Sequence, residues 1–124
     1  MKKMMALLTI VIALTTAISS CSKKSNTDVS SQNIRQTIKT NQAFEYDLGN
    51  FGDEEGATIS KQATHFFISS LDPQMNTEKI IYTYQPVVGF TGTDEIELKS
   101  ARGSNGASDN NKISYTTIKF TVTN

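Results

Sequence analysis

The sequence predicts an all-β protein, a small antiparallel sandwich that follows a secretion signal and a polar tether. Three observations carry this reading. From Phe44 onward, apolar and polar residues alternate in short runs, the period of a half-buried strand. Clusters of Gly, Asn, Asp and Pro separate those runs and punctuate them as strands. No stretch of the domain offers an amphipathic helix of useful length.

The first element is the N-terminal segment, residues 1–20. Lys2 and Lys3 precede an apolar run from Met4 to Ile18, and the small residues Ser19 and Ser20 close it. A basic start, an apolar centre and small residues at the end are the marks of a secretory signal. The run is too short for an ordinary spanning helix, which needs about 20 apolar residues. Cys21 follows, and it is the only cysteine of the 124 residues, so no internal disulfide is available. The string Ile18-Ser19-Ser20-Cys21 resembles the lipobox of bacterial lipoproteins. The resemblance implies cleavage before Cys21 and lipidation of its thiol with acyl chains such as palmitate. It also implies a protein held at the bacterial membrane, with Ser22 favouring the outer membrane. Two or more chains make such an anchor stable, because each buried CH₂ contributes about 0.8 kcal/mol. Lys23 and Lys24 stand where surface-exported lipoproteins often carry acids.

Residues 21–41 are rich in Ser, Thr, Asn and Lys, with Val29, Ile34 and Ile38 as the larger apolar side chains. So polar a segment reads as a flexible tether that cannot offset its ordering entropy. The Ile34–Ile38 spacing also suits one helical turn. Residues 42–124 form the predicted domain. Phe44, Tyr46 and Leu48 share one strand face, and Gly49 to Gly56 is a turn-rich loop with three acids. Ala57 to Ile59 and Ala63 to Leu71 are the next strands, the latter ending in a turn at Asp72-Pro73. Ile80, Tyr82 and Tyr84 share a face, as do Ile96 and Leu98. Ala101 to Lys112 is a polar loop. The last strand changes phase between Ile113/Tyr115 and Ile118/Phe120/Val122, which predicts a bulge at Thr116-Thr117.

Residues 82–98 read YTYQPVVGFTGTDEIEL. This string is similar to the Y-x-P-x-x-G-F-x-G-x-D unit of bacterial cadherin-like and immunoglobulin-like modules, carried here by Tyr84, Pro86, Gly89, Phe90, Gly92 and Asp94. The resemblance implies an Ig-like or cadherin-like sandwich of binding or adhesion type. Physically the string is a strand crossing. Pro86 ends a ladder, Gly89 and Gly92 permit a tight reversal, Phe90 enters the core as a plug, and Asp94 accepts backbone N–H groups of the turn.

Removing Lys2 and Lys3 from the 12 basic residues leaves 10 against 12 acidic ones. That balance lacks the basic footprint of a nucleic-acid binder. Catalysis is not expected. His65 is the only histidine and falls in a predicted strand, no G-x-S-x-G elbow is present, and zinc would lack soft ligands. No cofactor is expected either. The expected function is a non-catalytic, membrane-anchored envelope module meeting an envelope protein, a surface protein or a glycan. Its contact loops are 49–56 and 101–112, with Asp53, Glu54, Glu55, Arg102 and Asn105 as contact residues, because loops on rigid scaffolds carry function. Two alternatives remain open. A glycan-binding reading needs outward-facing rings among Tyr46, Tyr82, Tyr84 and Tyr115, whereas alternation places the first three inward. A calcium-dependent reading needs Asp53, Glu54, Glu55, Asp94 and Glu95 to converge, since Ca²⁺ takes six to eight oxygens; Asp94 and Glu95 are its candidate metal ligands.

Overall fold

A computed structural model describes residues 26–124 of the chain; the signal segment and Cys21 lie outside the described residues. The strands are β1 (Asp28–Lys39), β2 (Phe44–Asn50), β3 (Gly56–Lys61), β4 (Phe66–Pro73), β5 (Lys79–Pro86), β6 (Gly92–Arg102) and β7 (Lys112–Thr123). They form a four-stranded sheet in the order β1-β7-β6-β3 and a three-stranded sheet in the order β2-β5-β4. The two sheets face one another as a sandwich, with inward residues of both building one core.

That core follows from alternation. Tyr82 and Tyr84 from β5 meet Ile96 and Leu98 from β6 and Ile118, Phe120 and Val122 from β7. The Tyr84 and Phe120 rings stack at 4.0 Å, and Phe44 meets Phe120 edge-on at 5.4 Å. Nearly all of this apolar mass lies toward one end, which carries the β1–β2, β3–β4 and β5–β6 connections and is called here the turn end. The opposite, loop end carries the β2–β3, β4–β5 and β6–β7 connections. Inward positions become polar there, with Ser100 and Thr116 buried in place of aliphatic side chains.

Four expectations are corrected. Residues 28–39 are not tether: β1 pairs in parallel with β7 over its whole length, from Asp28 opposite Lys112 to Lys39 opposite Thr123. Ile38 is buried and Ile34 packs against the core. The pairing supplies backbone partners that a polar strand cannot announce locally. Residues 62–65 are loop, so His65 precedes β4 instead of lying within it. Asp72-Pro73 ends β4, and the turn falls at residues 75–77.

The expected bulge at Thr116-Thr117 is absent. β7 keeps one register against β6 from Gly92↔Val122 to Arg102↔Lys112. Ile113 and Tyr115 change phase because they lie on the outer face of the sheet, opposite the face that presents Thr116, Ile118 and Phe120 to the core. A phase change in sequence can thus serve two faces of one straight strand.

Candidate functional site

The two predicted contact loops meet at the loop end, and side chains tie them together. Arg102, the last residue of β6, lies with its guanidinium carbon 3.8 Å from the centre of the Phe51 ring. It also donates to the Leu48 carbonyl at 2.6 Å. Phe51 is buried beneath it, so a cation over an aromatic face closes the polar end of the core. The Phe51 N–H donates to the Glu78 carbonyl at 2.8 Å, which brings in the β4–β5 loop. Glu78 holds φ at 55°, a left-handed conformation uncommon outside glycine.

Glu55 joins the other two loops. Its carboxylate accepts N–H groups of Gly52 at 2.9 Å and Gly103 at 2.7 Å. These two bonds, with Arg102 and Lys112 nearby, hold its carboxyl below the usual value. Gly103 is required here: its φ is 86°, and an added Cβ would collide with Asn111 Oδ1. Glu54 accepts from Ser104 Oγ at 2.7 Å, while Asn110 Nδ2 donates to the Glu54 carbonyl at 2.9 Å. Asn105 turns inward on its own loop, accepting from Ala107 N and Ser108 Oγ. Asp53 is exposed on the rim of an open depression of about 330 Å³. Sequence reasoning missed Phe51 and Asn110. A lone aromatic amid acids was the available signal for Phe51; nothing local marked Asn110.

At the turn end the Y-x-P-x-x-G-F-x-G-x-D string forms a latch. Gly89 and Gly92 take φ values of 80° and 133°, as the reversal requires. Asp94 is 7% exposed. Its Oδ1 accepts from Thr64 N at 2.9 Å and from Glu95 N at 2.9 Å. Its Oδ2 accepts from His65 N at 2.7 Å and from the Tyr84 hydroxyl at 3.0 Å. Asp94 does accept backbone N–H groups, but two of them come from the β3–β4 loop, thirty and twenty-nine residues upstream. Capture of these amides keeps residues 64–65 out of β4. Burial would raise the Asp94 carboxyl, yet the three backbone bonds and the Tyr84 hydroxyl outweigh it and hold it below the ordinary value. Burial, then the bond and charge of Asp94, push the Tyr84 hydroxyl well up. Phe90 is a half-buried flank of this latch, stacked on His65 at 4.2 Å, and not the full core plug expected of it.

The calcium reading loses its geometry. Asp53, Glu54 and Glu55 sit at the loop end and Asp94 and Glu95 at the start of β6, roughly 26 Å of strand away. No group of three His, Cys, Asp or Glu able to hold a metal exists among the described residues. Asp94 is consumed by its four donors, and Glu95 pairs with Lys61 at 2.7 Å and Lys119 at 3.3 Å. The tyrosines make no outward platform of two rings either: Tyr82 and Tyr84 are fully buried, Tyr46 packs against the core, and Tyr115 alone of the four lies on an outer face.

The architecture therefore defines the chain as a small two-sheet β-sandwich with a side-chain-tied loop end and a carboxylate-latched turn end. Compared by sequence, it matches no family profile and no curated protein. Compared by structure, the solved proteins it is similar to include the following two. One is the cysteine protease inhibitor EhICP2 from Entamoeba histolytica, with TM-score 0.51 and 13% identity, over 77% of this chain and 97% of that one. The other is PbICP-C, solved in complex with falcipain-2, with TM-score 0.53 and 15% identity, over 79% and 92%. At such identities the likeness is one of fold.

Proposed function

We propose that this chain is a non-catalytic binding module of Ig-like type, held at a bacterial outer membrane by lipid on Cys21. The observation that carries the reading is the start of β1 at Asp28, seven residues after Cys21. A folded, two-sheet scaffold that begins so close to a lipidation site is built to display surface at a membrane, and rigid sandwiches display surface through their ends. The partner class is an envelope or surface protein. The test is metabolic labelling with a palmitate analogue, followed by membrane fractionation, for the wild type and Cys21→Ala. Label and membrane retention lost together in Cys21→Ala support the anchor; retention without label overturns it.

A second reading is inhibition of a cysteine protease. It is favoured by the fold likeness to a cysteine protease inhibitor and to a protein solved in complex with falcipain-2, and by the loop end, where three connections are tied into one unit. Loops already tied to one another enter a cleft at low entropic cost. Progress curves of a papain-type protease with the purified protein decide it. Stoichiometric inhibition that disappears in Arg102→Ala supports it, and full activity at micromolar protein removes it.

A further inference from the structure

Among the described residues, four strands stand at sheet edges: β1 and β3 in one sheet, β2 and β4 in the other. An edge exposes unpaired N–H and C=O groups, and proteins blunt it with short strands, bulges, proline or charge. Three of these edges are blunted in that way. β3 has six residues and slips register between Ile59 and Lys61. β2 slips between Asp47 and Asn50, while β4 slips between Phe66 and Ile68 and ends in Pro73. β1 is different. It runs 12 residues without glycine or proline, and its register against β7 is unbroken.

The groups that β1 leaves free follow from its two ends. Asp28 N donates to the Asn111 carbonyl at 2.7 Å and Thr40 N to the Thr123 carbonyl at 2.8 Å, so even-numbered residues turn their backbone toward β7. Successive residues of a strand point these groups to opposite sides. Val29, Ser31, Asn33, Arg35 and Thr37 therefore aim N–H and C=O out of the sheet. Lys39 aims the same way, and there the following turn closes the edge. Its N–H donates to Gln42 Oε1 at 3.4 Å, and its carbonyl accepts from Gln42 N at 2.9 Å. Of the other five, only the Thr37 carbonyl has a partner among the described residues, the exposed side-chain amide of Gln36 at 3.3 Å.

The side chains of β1 say what fits this edge. Ile34 and Ile38 lie on its core side, while Ser31, Asn33, Arg35 and Thr37 are exposed. Two identical antiparallel strands place their twofold axis at a residue that faces its own copy. With the axis at Ile34, each Ile34 meets the other on the core side, Arg35 faces Asn33, and Thr37 faces Ser31. Apolar then meets apolar, a cation meets an amide carbonyl, and hydroxyl meets hydroxyl, all favourable cross-strand pairs. The Arg35–Asn33 and Thr37–Ser31 pairs each occur twice, and each exchanges two backbone bonds. Neighbouring registers lose this match. An axis at Arg35 opposes two arginines, and an axis at Asn33 sets Asp28 against Ile38.

We propose that the open edge of β1 binds a second copy of this chain, β1 against β1 in antiparallel, with the twofold axis at Ile34. The two four-stranded sheets become one continuous sheet. The contact is isologous and consumes the edge on both copies, so assembly stops at the dimer. The pairing does not rest on the lipid anchor proposed above.

The test uses the full chain with Cys21→Ala, in detergent, so that introduced cysteines are the only thiols. A Ser31→Cys chain is mixed with a Thr37→Cys chain under mild oxidation. Facing residues of this kind stand about 5.5 Å apart at Cα, within disulfide range. The expected product is a disulfide-linked heterodimer, with neither chain linking to itself, because position 31 faces position 37. Self-linking equal to cross-linking overturns the register. No linking, with both chains folded by circular dichroism, overturns the dimer and leaves the edge to a strand of another protein. Sedimentation equilibrium of chains without added cysteines gives a second readout at an exposed position. Asn33→Arg puts arginine opposite Arg35 and should weaken association at least tenfold, whereas Asn33→Glu should strengthen it several-fold. Equal association of these two variants also overturns the proposal.

Discussion

Each end of the sandwich is closed by a carboxylate that accepts backbone N–H groups from a distant segment. Asp94 takes Thr64 and His65 at the turn end; Glu55 takes Gly103, forty-eight residues on, at the loop end. The chemistry is the same and the surroundings are not. Asp94 is sealed under Tyr84 and beside the aromatic core. Glu55 is flanked by glycines, a serine and acids on an open rim. A hydrogen bond to charge is strengthened where water is excluded and is costly to leave unmade there. The turn end is thus held by a structural lock, whereas the loop end is held by bonds that water can replace.

The largest effect expected of this difference is in Asp94→Ala. It strands two amides of the β3–β4 loop and the Tyr84 hydroxyl, and should cost about 4 kcal/mol. Chemical denaturation measures it, and a loss below about 1 kcal/mol would show that the latch is idle. Ile38→Ala should cost about 3 kcal/mol, the usual range for a buried isoleucine. A tether residue would cost nothing, so this variant also checks the place of β1 in the core. Tyr84→Phe removes one donor from Asp94 and should cost about 1 kcal/mol, a fall of roughly 4–8 °C in thermal midpoint for a domain of this size.

Acid separates the two ends further. The Asp94 carboxyl is held below its ordinary value in the fold, so its contribution is complete above about pH 4, the unfolded range. It is lost as pH falls through the depressed folded value. Wild-type stability should therefore drop below about pH 4 more steeply than that of Asp94→Asn, which starts lower and titrates less. Melts across pH 2 to 7 read this directly. The smallest effect is expected of Glu55→Gln: an unchanged melting midpoint, with faster amide exchange at Gly52 and Gly103 only. A loss of midpoint comparable to that of Tyr84→Phe would make the loop end a lock as well.

The faces of β2, β5 and β6 were legible, because alternation of Phe44/Tyr46/Leu48, Tyr82/Tyr84 and Ile96/Leu98 is a local property. The reversal at Gly89 and Gly92 was legible for the same reason. The meeting of the 49–56 and 101–112 segments was not legible, nor was the Phe51 ring beneath Arg102. The convergence required for calcium was a statement about distance, and the strand length of β6 denied it.

By itself, then, the sequence determined which side chains of β2, β5 and β6 would face inward and where the β5–β6 reversal would fall, since both depend on neighbours two to four residues apart. Only the tertiary structure decided that the polar segment 28–39 is a strand and that Asp94 binds amides thirty residues away. It alone decided, too, that Arg35 and Lys119 stand side by side. Each of these rests on a backbone or charge partner distant in sequence, and a hydrogen bond or ion pair across sheets leaves no period in the chain that forms it.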